Sequence, residues 1–296
     1  MAREIYQTMI AMALHVGPLR AIKTIAACAI SAKSGTIILV DSGDYVADVA
    51  VWSQDDITLR AVGGRVRLLA QGAAAEGKGI WVVRANRMRV EGFDFEGAAV
   101  SSRNGAGIRL ETGSLRVDNC RFRYNEMGLL TNNDPNTVLE VYHCEFAYNQ
   151  RPDGHNHNLY AGQIARLTVV DSYFHHAHIG HLLKSRAAVS HVVNSRLIDG
   201  ADGTASYELE FPNGGMAFVV SNTIAQSTLT ENPYLISFGA EGYKWQDNSL
   251  YLLNNQLENP LHGGQFLKVF PGAGSVQARN NILIGYGSLE SGSGNY

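Results

Sequence analysis

The segments VDNCRF (117–122), VYHCEF (141–146) and VVDSYF (169–174) share one shape: valine, a small residue three places on, and phenylalanine two further. The shape recurs in VEGFDF (90–95), VVNSRL (192–197), VVSNTI (219–224), LLNNQL (252–257) and ARNNIL (278–283). Aligning them gives a large apolar column: Phe95, Phe122, Phe146, Phe174, Leu197, Ile224, Leu257 and Leu283. Its members are 27, 24, 28, 23, 27, 33 and 26 residues apart. Two places earlier runs a mostly small or amide column: Phe93, Cys120, Cys144, Ser172, Ser195, Asn222, Asn255 and Asn281. A third column holds Val90, Val117, Val141, Val169, Val192, Val219, Leu252 and Ala278.

A unit of this length cannot bury its apolar face alone, so units of this kind stack into solenoids. A leucine-rich framework and a 3.6-residue period are both missing from the repeats. Each unit instead offers three short strands, for instance GIRLE, SLRVDN and CRFRYN, with turns such as TGS between them. Stacked coils of this type pass their backbone hydrogen bonds from rung to rung, about 4.8 Å apart. Like side chains then lie over like, and an Asn column can bond along the stack.

Over residues 36–287 this pattern resembles right-handed parallel β-helix proteins of the pectate-lyase-like superfamily. The resemblance implies an all-β, single-domain right-handed parallel β-helix with an N-terminal capping α-helix. Residues 1–35 would form the cap and 36–296 the solenoid. GPLRAIKTIAACAISAKSGTIILVDSGDY (17–45) fits the entry to such a fold. Leu19, Ile22, Ile25, Ala26 and Ile30 are spaced for one buried helical face over about 18–32.

The totals narrow the function. The 296 residues carry a net charge of -3 and no Lys/Arg cluster, so the chain lacks a nucleic-acid footprint. Cys28, Cys120 and Cys144 are too few for a disulfide framework. Cys120 and Cys144 share a column on successive coils and are expected to stay reduced. The sequence offers no apolar run of membrane-spanning length. The opening MAREIYQTMIAMALHVGP is not a convincing signal peptide, although the resemblance implies a secreted or periplasmic protein. The Gly/Ser-rich tail is expected to fray.

HNHNLYAGQIARLTVVDSYFHHAHIGHLLKSR (155–186) holds six of the ten histidines. Eight of the ten fall between 143 and 191, the repeats beyond that span have almost none, and this density points to a site. One long sheet is expected from GIWVV (79–83), GIRLE (107–111), GLLTN (128–132), NLYAG (158–162), HLLKS (181–185), SYELE (206–210), YLISF (234–238) and FLKVF (266–270). Alternation puts Ile108, Leu110, Leu159, Ala161, Leu209 and Phe211 inside. It puts Arg109, Glu111, Asn132, Asn158, Tyr160, Glu208 and Glu210 outside. Lys184 is expected outside, because a dry unpaired ammonium is costly, and His181 inside. His155, His157, His175 and His178 would wall a groove, with Arg186 and Tyr207 beside it.

A shallow polar cleft suits an extended polymer, and enzymes of the resembled superfamily mostly act on acidic polysaccharides. Eliminating a uronate needs its carboxylate neutralised, its C5 proton removed and its 4-linked oxygen protonated. Lys184, Tyr160, Arg186 and His178 are the candidate catalytic residues. His155, His157, Asn158, His175, Tyr207, Glu208, Glu210, Arg109 and Asn132 are the candidate substrate contacts. A glycoside hydrolase using Glu208 and Glu210, with Asp153 or Asp199 as a second partner, is one alternative. A non-catalytic glycan-binding or structural solenoid is another. No cofactor is required, with Ca2+ held by carboxylates as an open option. Histidines paired with Glu208 or Glu210 would be the ligands for a transition metal. The polygalacturonase-type and pectate-lyase motifs are absent, so the resemblance carries a reaction type only. The expected partner is a poly- or oligosaccharide bound by a monomer. Tyr243 and Trp245, in the loop 240–248, either stack on sugar rings or pack over the coil edge.

Overall fold

The computed structural model describes residues 13–230 and 232–289. Residues 1–12 of the expected cap and 290–296 of the Gly/Ser-rich tail lie outside the described residues. Among the described residues the chain winds as a parallel β-solenoid, all of whose strand pairings between named strands are parallel, in two hydrogen-bonded arrays of nine and nineteen strands. The larger array spans two faces of the coil. Thr58–Leu69 joins them, pairing its start with Met88–Glu91 and its end with Phe93–Glu96. Among the described residues no helix is long and apolar enough to cross a membrane.

The repeat columns are the stack. Phe95, Phe122, Phe146 and Phe174 are directly paired across successive rungs. Their rings lie 4.9, 4.6 and 4.7 Å apart and within 7° of parallel. All four are fully buried, and each contributes about 1.5–3 kcal/mol of burial. Beside them, each small residue accepts a bond from the backbone N–H one rung back. Ser195 N donates to Asn222 Oδ1, Asn222 N to Asn255 Oδ1 and Asn255 N to Asn281 Oδ1, all at 2.8–2.9 Å. Cys120, Cys144 and Ser172 continue the ladder. The cysteines are reduced and buried.

The corner before this column needs one left-handed residue per rung. Asn119, His143, Asp171, Asn194, Ser221, Asn254 and Asn280 supply it, with φ between 49° and 58°. Asn, Asp and His tolerate this region best among residues with a side chain, because the short polar group bonds locally. The recurring polar residue beside the small column is therefore a backbone requirement.

The nine-stranded sheet contains all eight expected strands, preceded by Ala50–Trp52. Its sides do not follow strict alternation. Adjacent pairs Ile80/Trp81, Leu182/Leu183, Leu235/Ile236 and Phe266/Leu267 all enter the main core. Outward residues on a rung are thus three apart. Met127 and Leu130, with Tyr160, form an apolar cluster outside the core.

A helix runs over Ile25–Ser31, shorter than the expected 18–32. Thr24 caps it, and Asp48 accepts from Ile25 N (2.6 Å) and Ala26 N (2.7 Å). Ile25, Cys28 and Ala29 are buried, but Leu19 and Ile30 are 95% and 87% exposed. The residues before the helix leave it because Leu14–Val16 is already a strand, paired with Ile38–Val40 of the solenoid.

Candidate active site

Two outward columns meet on the middle rungs of the nine-stranded sheet. One carries Leu130, Tyr160, Lys184, Glu210 and Ser237, each backbone-paired to the next. The other carries His181 and Tyr207, also paired. His157 stacks on His181 at 4.6 Å and lies 5.6 Å from Tyr160. Of the expected convergence of Tyr160 and Lys184 with Glu208 and Glu210, register brings together Tyr160, Lys184 and Glu210 but not Glu208.

Lys184 Nζ sits 2.8 Å from Glu210 Oε2 and 3.3 Å from Glu241 Oε1. Lys184 and Glu210 are only 8% and 4% exposed. Burial pushes the Glu210 carboxyl up, and Lys184 opposes that shift. Arg186, two residues after Lys184 and just past the end of the strand His181–Ser185, donates from Nε to Tyr160 Oη at 2.7 Å and from Nη1 to Asn213 Oδ1 at 2.9 Å. It also holds Glu241 through both terminal nitrogens. These bonds hold the Glu241 carboxyl down at about 2. Because Tyr160 Oη accepts from Arg186, its own proton is left to point elsewhere.

Beside Tyr160 lies a hollow of about 460 Å³, lined by Arg103, Arg151, His155, His157, Met127 and Leu130 among others. Asp153 closes its wall, 2.6 Å from Arg103 Nη1 and paired with Arg151 as well. A larger hollow of about 650 Å³ lies on the other array, around Arg60, Glu91, Arg116 and Asp118. Size favours the second. Chemistry favours the first, because His155, His157 and Tyr160 line it, whereas the charged groups lining the larger hollow are arginines and carboxylates, paired as Arg60–Glu91 and Arg116–Asp118. Two rungs before Tyr160 in the same column, Arg109 donates to Asn132 Oδ1 at 3.3 Å, while its buried Nε has no partner.

Several expected placements are corrected. Glu208 is fully buried inside the coil, and neither carboxylate oxygen has a hydrogen-bond partner. Burial, then repulsion from Asp199, pushes its carboxyl well above the usual range. It falls inside because two adjacent residues per rung face the core, which reverses alternation there. Asn158 is inside for the same reason: it accepts from Asn149 Nδ2 at 2.8 Å and donates to His175 O at 2.9 Å. His181 is outside, between His157 and Tyr207. The hydrolase pairing of Glu208 with Glu210 is thereby lost.

The histidines also divide. His155 and His157 line the hollow. His157 is buried, and burial takes its imidazole down to about 3, so it stays neutral. His175 instead ends a strand of the larger array, with Nε2 3.2 Å from Glu145 Oε1. His176 joins it there, stacked on Tyr148 and 3.0 Å from Asp202. His178 bonds Thr204 Oγ1 at 2.9 Å. The groove wall expected from His155, His157, His175 and His178 reduces to the first two.

Among the described residues no group of three or more His, Cys, Asp or Glu converges as a metal site. The carboxylates nearest the centre, Glu210 and Glu241, are already engaged by Lys184 and Arg186, so the residues do not fit a calcium ion. The histidine–Glu208 metal set is ruled out by the same burial that removes Glu208. Two partners were not foreseen, Glu241 and Asn213. They come from loops 55 and 27 residues beyond Arg186, and no local pattern marks them. Tyr243 and Trp245 pack over the coil edge: Tyr243 Oη donates to Phe270 O at 2.7 Å, and Trp245 Nε1 to Arg186 O at 3.0 Å.

No family model matches the sequence, and no curated protein matches it. The fold is similar to that of solved structures. Pectate lyase Pel9A aligns with a TM-score of 0.54 and 13% identity over 91% of this chain and 78% of that one. A pectin methylesterase in complex with a hexasaccharide aligns at 0.46 and 10% identity over 92% of each chain. The pectin methylesterase from Aspergillus niger aligns at 0.38 and 12% identity, over 97% and 87%. The first likeness establishes the class of fold alone, a right-handed parallel β-helix.

Proposed function

We propose that the protein is a carbohydrate-active enzyme that cleaves a uronate-containing polysaccharide by β-elimination. One observation carries the reading: Tyr160, Lys184 and Arg186 converge on one outward side of the sheet, with the Tyr160 proton uncommitted. Lys184 and Arg186 neutralise the uronate carboxylate, which makes the C5 proton acidic. With its ammonium facing two carboxylates, Lys184 is the electrostatic partner rather than the base. Tyr160 protonates the departing 4-linked oxygen. His155, exposed on the same hollow and without a hydrogen bond to another described residue, takes the C5 proton. The pectate lyase likeness is consistent with a pectin-like substrate, and Arg103 and Arg151, two arginines sharing the one carboxylate of Asp153, leave the hollow an excess of positive charge that suits an acidic chain.

A second reading, a glycan-binding solenoid without chemistry, draws on the Lys184–Glu210 pair, which is also an ordinary cross-strand ion pair. A panel of uronate polymers separates the two. The enzyme reading expects new absorbance near ~235 nm from the unsaturated product, lost in Tyr160→Phe. Binding without absorbance on any polymer supports the scaffold.

A further inference from the structure

Glu241 has no place in the chemistry above, yet it pairs with both cations: it is the carboxylate on Arg186 and, after Glu210, the second on Lys184. Its carboxylate reaches back from the loop after Tyr234–Phe238 to Lys184 Nζ (3.3 Å) and to Arg186 Nη2 (2.8 Å), with a further contact to Nη1. The loop backbone is pinned independently: Glu241 N donates to Pro212 O at 2.9 Å, Lys244 N to Asn213 O at 3.0 Å, and Trp245 Nε1 to Arg186 O at 3.0 Å. The Glu241 side chain itself is 45% exposed, while those of Lys184 and Arg186 are 10% and 16% exposed. The cations are thus fixed and sunk, and the carboxylate between them and solvent can leave by side-chain rotation alone. Arg186 binds it in the two-pronged manner that guanidinium groups use for carboxylates.

We propose that Glu241 occupies a carboxylate subsite, and that it sets specificity by making an incoming sugar carboxylate displace it from Lys184 and Arg186. This rests on the uronate reading above and names the residue that gates it. A tethered carboxylate competes at high effective concentration. Single uronates and other small acids are therefore held off. A polymer gains enough from neighbouring contacts along the sheet to replace Glu241. Neutral sugars gain nothing from the exchange.

The test is calorimetric titration of galacturonate and galactose into the wild-type protein, Glu241→Gln and Glu241→Asp. Glu241→Gln keeps the shape and removes the charge, and it is expected to bind galacturonate about tenfold tighter than wild type. Glu241→Asp, too short to reach both cations, should fall between them, and it serves if Glu241→Gln folds poorly. Galactose should respond to neither change. Equal galacturonate affinity in all three proteins overturns the gate, as does a lowered Tm without any gain in binding, which would make Glu241 a structural neutraliser. Depolymerisation of polygalacturonate, followed in parallel, keeps the two proposals apart. Tighter galacturonate binding without unsaturated product retains the gate and removes the elimination. Product formed with an unchanged KM in Glu241→Gln retains the elimination and removes the gate.

Discussion

The ladder from Cys120 to Asn281 and the rungs carrying His181, Glu208 and Glu210 are built from the same stack, yet they treat polar groups in opposite ways. In the ladder every rung is satisfied: Asn222 accepts from Ser195 N and donates both to Val192 O (2.8 Å) and to Asn255 Oδ1 (3.0 Å). On the other sheet, His181 Nδ1, both oxygens of Glu208 and Ser237 Oγ are buried without a hydrogen-bond partner, and Glu210 Oε2 has only the Lys184 ammonium at 2.8 Å. Buried polar groups in native proteins are nearly all bonded, so unpartnered side chains on three successive rungs, at His181, Glu208 and Ser237, mark a stretch where the fold was not shaped for stability alone.

Exchanging roles should expose that contrast. The largest effect is expected at the site. Tyr160→Phe keeps the ring that lies against His157 and removes the transferable proton. It should cost about 10²–10⁴-fold in kcat with little change in Tm, measured by product absorbance and thermal melting. Next is the ladder. Asn222→Leu strands the Ser195 N–H and the Val192 carbonyl, and it should lower stability by about 2–4 kcal/mol in urea titrations, leaving kcat per folded molecule unchanged.

Smallest is the buried acid, where the sign inverts. Glu208→Leu removes an unpartnered carboxyl from the core, and it should raise stability by about 1–2 kcal/mol at neutral pH. The pH dependence follows from linkage. Burial raises the folded-state values of Glu208 and of Asp199, the latter to about 6. A raised value means the native state keeps its proton longer than the unfolded chain. Stability from these groups is then full below their ordinary range and lost as pH climbs through the folded values. Urea midpoints for wild type should fall relative to Glu208→Gln as pH rises from about 4 upward. Parallel curves would place the ionised carboxylate in water and contradict its burial.

Much of the fold was legible because a solenoid repeats its demands. The columns headed by Phe95, Phe93 and Val90 could be aligned by eye, and each member lies beside its predicted neighbour. The sheet-forming strands were legible for the same reason. Facing was less so. Leu182/Leu183 look like any apolar pair, and only the three-dimensional path shows that both enter the core, so Glu208 and Asn158 were assigned to the wrong side. The histidine segment was a true signal with a mixed meaning. His155 and His157 reach the hollow, whereas His176 occupies a left-handed corner with φ of 49°, stacked on Tyr148. Glu241 was invisible because a loop reaching back 55 residues leaves no periodic trace.

The claim that the nine-stranded sheet is the polymer-binding face is tested most directly by hydrogen exchange with and without an oligouronate. Protection is expected in the segments 150–157 and 239–245, which border Tyr160 and Arg186, and not in the corners 171–173 and 194–196 of the other array. Protection confined to those corners, or around Arg60 and Arg116, would contradict the account.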